Sequence, residues 1–256
     1  MRLAIATPVY GGNNAAMVAY GYHRAVRALE AQGAVAVSGD IASSEDIVKA
    51  RMRLLWAALH HVPNWDWLLW WDADVIPPDL SIVPRMVEAA DARGWKMIGA
   101  PYPRKSIRAR FPYRPNAESM AAATCDPDGA IRVPMHLDGN LCTTVQAIGM
   151  GFTLTHREML ELMISHFSEQ LWCVESVAGK SEEMVSLFSM VMGPTTWAMR
   201  GDQKIRFREQ LGEDYSFCFR WRSIGGEIGM YCGHGTPLAH VGSHTFMADG
   251  ADLGLV

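Results

Sequence analysis

Hydrophobic positions change their period along this chain, and the changes mark out its elements. Leu3 to Val9 is a short β-compatible run, and Thr7-Pro8-Val9-Tyr10-Gly11-Gly12-Asn13-Asn14 closes it with turn residues. That pattern predicts a first strand followed by a loop at the sheet edge. Ala15 to Gln32 is Ala-rich and helical in character, and Gly33 suits its C-terminal cap. A second strand is expected at Val35 to Val37, closing at Ser38-Gly39-Asp40. Ser43 then opens a helix, with Asp46 three residues on as a weak capping box. Ile47, Leu54, Leu55, Ala58, Leu59 and Val62 follow at helical spacing. Arg51 interrupts that apolar face. It is either an arginine whose stem packs while its head reaches solvent, or a ligand contact near the helix start.

Trp67-Leu68-Leu69-Trp70-Trp71 shows no alternation and reads as a strand covered on both faces. It ends in Asp72-Ala73-Asp74, and Pro77-Pro78 soon after rules out a helix of ordinary length. Ser81 to Arg93 predicts another helix, stopped by Gly94, and Lys96 to Ala100 a strand entering Pro101-Tyr102-Pro103. The order βαβαβαβ implies an α/β fold with a mostly parallel sheet and helices on its faces. Ligands of such sheets gather beyond the carboxyl ends of the strands, where Asp72 and Asp74 stand.

The regularity then lapses. Arg104, Lys105, Arg108, Arg110 and Arg114 interleave with Tyr102, Phe111 and Tyr113 and no acid, as either a solvated loop or a grip on phosphates and bases. Ala117 to Leu141 reads as loop or hairpin. Thr143 to Thr155, with Gly149 and Gly151 inside it, suggests a strand or bulge approached closely by another group. A helix is expected from His156 to His166. Phe167 to Met192, with mixed helical character, reads as a lid or an acceptor-side insert. Gly212-Glu213-Asp214 opens a helix bearing Phe217, Phe219, Trp221 and Ile224 that stops at Gly225-Gly226, and Glu227 to Tyr231 returns as a strand. His234, His240 and His244 lie in a closing Gly-rich run.

At 256 residues with a net charge of -4, the chain has an ordinary globular composition and no global signature of nucleic-acid binding. Five cysteines, widely spaced and without a C-x-x-C pair, argue against a disulfide framework or structural zinc. No signal peptide or membrane-spanning run is read, so a soluble, cytoplasmic protein is expected. The glycines form neither G-x-G-x-x-G nor a P-loop. Asp72 and Asp74 offer the oxygen ligands that hard cations prefer, although loop acids are common at strand ends. His240 and His244 offer imidazoles for Mn²⁺ or a similar metal. Glu213-Asp214 favours the positive end of a helix, and an acid there also serves as a general base for an alcohol.

Taken in order, Thr7-Pro8-Val9-Tyr10, Arg51, Asp72-Ala73-Asp74, Gly212-Glu213-Asp214 and His240-Val241-Gly242 resemble a GT-A glycosyltransferase of the inverting, family-2-like group. The resemblance implies a GT-A (Rossmann-like) domain over 1–256, with a nucleotide-sugar half at 1–101 and an acceptor and catalytic half at 102–256. It places Pro8 and Tyr10 at the nucleoside, Arg51 at the nucleotide, Asp72 at ribose and metal, and His244 near the diphosphate. Asp74, Asp72 and His240 would hold Mn²⁺ or Mg²⁺, with Asp214 as base and Glu213 beside it. The chain has Ala50-Arg51-Met52 where members often show Ala-Arg-Asn. The expected reaction moves a sugar from a nucleoside diphosphate sugar, UDP-sugar favoured, to a hydroxyl of a glycan, a lipid-linked sugar or a modified nucleic-acid base. The rivals are a nucleotidyltransferase and a nucleic-acid or polyanion-binding protein.

Overall fold

The computed structural model describes residues 2–10, 24–41, 46–104, 113–116, 124–125, 131–132, 137–139, 141–177, 179–200, 203–241 and 245–246. In chain order the elements begin β1 (Leu3–Tyr10), α1 (24–30), β2 (Val35–Ile41), α2 (Ile47–His61), β3 (Trp67–Trp71), β4 (Val75–Ile76), α3 (Ile82–Asp91), β5 (Met97–Gly99) and β6 (Tyr113–Pro115). They continue with β7 (Thr124–Cys125), β8 (Ile131–Arg132), β9 (Cys142–Ile148), β10 (Phe152–His156), α4 (Arg157–Leu171), β11 (Trp172–Val177) and β12 (Lys180–Val185). The last are β13 (Met192–Arg200), β14 (Gln203–Gln210), α5 (Glu213–Ser223), β15 (Gly229–Tyr231), β16 (Ala239–Val241) and β17 (Thr245–Phe246).

Eight strands form one sheet in the order β2-β1-β3-β10-β5-β15-β9-β6. The chain therefore adopts the expected mixed α/β architecture. Strand β1 pairs in parallel with β2 and β3, and β5 with β15. The sheet is less parallel than the βα alternation predicted, because β10 enters between β3 and β5 and runs antiparallel to both. The stretch expected as one strand, Thr143 to Thr155, is in fact β9 and β10, which a turn at 149–151 sends to separate places in the sheet.

Strand β3 is buried at all five positions. Its uniform apolarity follows from having a core on each side. Leu68 and Trp70 pack with α2, α4 and α5, while Trp67, Leu69 and Trp71 pack with α1 and α3. Full burial of each such side chain stabilises the fold by roughly 1.5–3 kcal/mol. The indole N–H groups are satisfied as burial demands: Trp70 Nε1 donates to Thr155 Oγ1 at 3.0 Å, and Trp71 Nε1 to the Val75 carbonyl at 2.7 Å.

Asp46, not Ser43, caps α2, accepting from the Val48 N–H at 3.1 Å, and Ser43 lies outside the described residues. The helix ends at Val62, which Pro63 holds extended. Helix α4 runs past its expected end to Leu171. The expectation of a mixed helical insert over Phe167 to Met192 is corrected there, because β11 and β12 form a hairpin in register from Trp172↔Val185 to Val177↔Lys180. Its signal is alternation: Trp172 and Val174 are exposed while Cys173 and Glu175 turn inward, where Lys49 and Arg53 of α2 hold Glu175 at 3.3 and 3.2 Å. A longer hairpin, β13–β14, escaped the sequence reading. Lys204-Ile205-Arg206-Phe207-Arg208 after Gly201-Asp202 is the period-two signal that would have found it.

Candidate active site

The carboxyl ends of β1, β3 and β5 open on one edge of the sheet. Antiparallel β10 begins there too, so Gly151 meets the chain leaving β3: the Asp72 N–H donates to the Gly151 carbonyl at 2.9 Å. Helices α2 and α5 bring Arg51 and Asp214 to the same place.

Arg51 is the centre of the arrangement. Its side chain is 2 % exposed, and Nη2 lies 3.4 Å from Asp72 Oδ1 and 3.3 Å from Asp214 Oδ1. Nη1 points at the Met150 carbonyl, 3.5 Å away. Phe188 walls the guanidinium at 5.9 Å, stacked on Phe217 and edge-on to Trp70. Buried Arg220 ties that wall down by donating to the Leu187 and Ser189 carbonyls at 2.9 and 2.6 Å. The solvent-reaching head considered for Arg51 does not survive this enclosure. The cation joins two acids, one following β3 and one at the start of α5.

Burial pushes the Asp72 and Asp214 carboxyls up, and Arg51 pulls both back down. Glu213, beside Asp214 in the first turn of α5, pushes Asp214 up further. Asp72 Oδ1 and Asp214 Oδ1 are buried oxygens without a hydrogen bond, although their side chains as wholes keep 27 % and 21 % exposure. Buried oxygens of this kind are the groups that ligand donors or cations satisfy.

Asp74, two residues on from Asp72, meets His240. Strand β16 pairs with β4 so that His240 faces Val75, and the Val241 N–H donates to the Asp74 carbonyl at 2.7 Å. His240 Nδ1 is 2.8 Å from the Pro103 carbonyl, and Nε2 is 3.5 Å from Asp74 Oδ1. A proton on Nδ1, donated to that carbonyl, leaves the Nε2 lone pair facing Asp74, which is the usual outer-shell arrangement of a metal-binding histidine. Among the described residues no three His, Cys, Asp or Glu side chains converge as a ready-made metal cluster. Asp74 and His240 could together offer one oxygen and one nitrogen to a divalent cation, a mixed donor set nearer to the preference of a transition metal than of Mg²⁺. Asp72, expected as a further ligand, has its carboxylate beside Arg51, at 3.4 Å.

Pro8 is buried on β1, Tyr10 ends that strand, and His244 lies outside the described residues. His234 is drawn to Asp79, 3.4 Å away. Of the basic loop, Arg104 and Arg114 are placed, both on Tyr215, and 105–112 lies outside the described residues.

Tyr102 was read only as part of that loop. It is in fact buried in the site, its hydroxyl accepting from the Gly151 N–H at 3.0 Å and its ring edge-on to His240 at 5.4 Å. Glycine at 151 makes room for it: a Cβ there would fall 2.6 Å from the Tyr102 hydroxyl and 3.1 Å from Asp72 Oδ2. Gly151→Ala should displace Tyr102 and cost about 1–3 kcal/mol of stability, as overpacking typically does. Urea unfolding measures it, and a neutral result would show that the ring shifts freely.

No family model matches the chain, and no curated protein matches its sequence. Among solved structures, A197 from STIV is similar over 63 % of this chain and 68 % of that one, with 18 % identity and a TM-score of 0.42. The 4-diphosphocytidyl-2C-methyl-D-erythritolsynthase from Anaerococcus prevotii DSM 20548 is similar over 68 % of this chain and 80 % of that one, with 11 % identity and a TM-score of 0.31. Likenesses this distant leave the chain's function to be read from its own residues.

Proposed function

We propose that the chain is a metal-dependent inverting glycosyltransferase of GT-A type, using a nucleoside diphosphate sugar, with a UDP-sugar favoured. The observation that carries the reading is what Arg51 joins: Asp72, two residues before the cation-suited Asp74 with its partner His240, and Asp214, an acid suited to proton transfer. A divalent cation held by Asp74 and His240 would neutralise charge on the departing diphosphate. Asp214 accepts the proton of the acceptor hydroxyl as its oxygen bonds to the anomeric carbon and the bond from that carbon to the diphosphate breaks. Attack from the face opposite the leaving group inverts the sugar. Burial makes Asp214 a stronger base than a surface carboxylate, and Arg51 keeps it ionised and aimed.

Thermal unfolding with UDP- and GDP-sugars, with and without Mn²⁺ or Mg²⁺, tests the reading. A donor at about a hundred times its Kd should add roughly 2.7 kcal/mol of stability. The expected shift needs donor and metal together and disappears in Asp74→Ala. A shift with nucleoside triphosphates alone would move the assignment to nucleotidyl transfer, and persistence in Asp74→Ala would remove the metal role.

A further inference from the structure

Beside Asp214 the surface carries two cations on one ring. Tyr215, the next residue of α5, accepts a hydrogen bond at its hydroxyl from Arg104 Nη2 at 3.2 Å, while the Arg114 guanidinium lies over its ring face at 4.7 Å from the centroid. The two arginines come from opposite sides of the chain's irregular segment, Arg104 following β5 and Arg114 lying within β6. Tyr215 thus sets two guanidiniums within the span of one side chain. Glu209 of β14 holds Arg114 from outside, at 2.7 Å, through one terminal nitrogen. Each guanidinium carries five N–H donors in a planar fork, and among the described residues Arg104 uses one of them on Tyr215 and Arg114 one on Glu209. Arg104 is also near enough to Asp214 to lower its pKa.

Tyr215 follows Asp214 directly in α5, so Arg104 and Arg114 gather beside the base, where the acceptor hydroxyl must arrive. Arg104 also follows Pro103, whose carbonyl lies 2.8 Å from His240 Nδ1, so it is close in sequence to the cation-suited residues as well. Paired guanidiniums are the usual grip for a tetrahedral oxyanion, each fork taking two of its oxygens.

We propose that the acceptor bears a phosphate group, bound by Arg104 and Arg114 across Tyr215, with its hydroxyl delivered to Asp214. The proposal rests on the transferase reading and names its acceptor class. The phosphate is that of a nucleic-acid strand, because basic and aromatic side chains interleave from Tyr102 to Arg114, and a lipid headgroup is the alternative that the second probe tests.

The experiment pairs two acceptor-side probes with the donor-side shift. A fluorescein-labelled oligothymidylate is titrated by anisotropy, and vesicles of phosphatidylcholine with phosphatidic acid are assayed by flotation, each with wild type, Arg104→Ala/Arg114→Ala and Arg104→Lys/Arg114→Lys. The Arg114–Glu209 pair is largely exposed, so its loss should leave the fold standing. The oligothymidylate should bind wild type, weaken on adding salt as phosphate contacts do, lose at least about tenfold in the double alanine variant, and recover in part with the lysines. Binding of the vesicles without the oligothymidylate would overturn the nucleic-acid assignment. Binding of neither probe, or equal binding by the alanine variant, overturns the proposal while leaving the donor shift intact. Loss of the donor shift in the alanine variant also overturns it, because the arginines would then serve the donor diphosphate. Absence of a donor shift in wild type would instead sink the transferase reading itself.

Discussion

Arg51→Met is expected to lower the stability of the fold by about 3–5 kcal/mol at neutral pH, the usual result of removing one partner from a buried ion pair. The methionine fills similar volume, so the loss is electrostatic: Asp72 and Asp214 remain charged, near one another, without the guanidinium 3.4 and 3.3 Å away. The pH dependence identifies the cause. Burial already raises both carboxyls above their ordinary value of 3.8, and without Arg51 they rise further. A carboxyl with a raised folded pKa binds its proton more tightly in the folded state, so stability is greatest below the unfolded pKa and falls as pH climbs through the folded one. The deficit of Arg51→Met relative to wild type should therefore be largest at pH 8 and shrink toward pH 5. Urea unfolding at both values measures it. A deficit independent of pH would mean that lost packing, not unpaired charge, is responsible.

Asp214→Asn is expected to cost about 10²–10⁴-fold in turnover, the range that a positioned general base supplies. The amide keeps the shape and the place at the start of α5 but cannot take a proton. The donor and metal shift should persist, because Asp74 and His240 are untouched. Release of nucleoside diphosphate from a donor in the presence of acceptor is the direct readout. A variant retaining most of its turnover would take the base role from Asp214, and Glu213, its neighbour in the same helical turn, would be next to examine.

The elements most legible in the sequence were those whose neighbours impose one periodicity. Trp67–Trp71 reads as a doubly covered strand because both of its faces are buried, and the aromatic helix after Gly212 is announced by acids at its start and glycines at its end. The residues of the site were legible as types: Arg51, Asp72, Asp74, Asp214 and His240 do meet at one edge. Their pairing was not. Local spacing cannot say that Asp72 turns to Arg51 while Asp74 turns to His240, since that depends on β16 joining β4 and on the Met150 carbonyl arriving from between β9 and β10. Tyr102 was hidden for a similar reason, because its partner, the Gly151 N–H, lies forty-nine residues away. The β11–β12 and β13–β14 hairpins were missed because their strands bury little and carry weak apolar signals.

The position of β10 also bears on how the chain comes to be folded. Strands β3 and β5 emerge within the first hundred residues, yet they never touch, because the strand that joins them arrives about fifty residues after β5. During synthesis, N-terminal portions fold first where they can. Here the early strands must wait with two open edges facing each other across an unfilled slot. Such edges are templates for pairing with other chains, and the long loop that must close before they are joined slows folding. Aggregation during expression is thus expected to worsen when translation stalls between Gly99 and Phe152, and to ease when the later segment is supplied quickly.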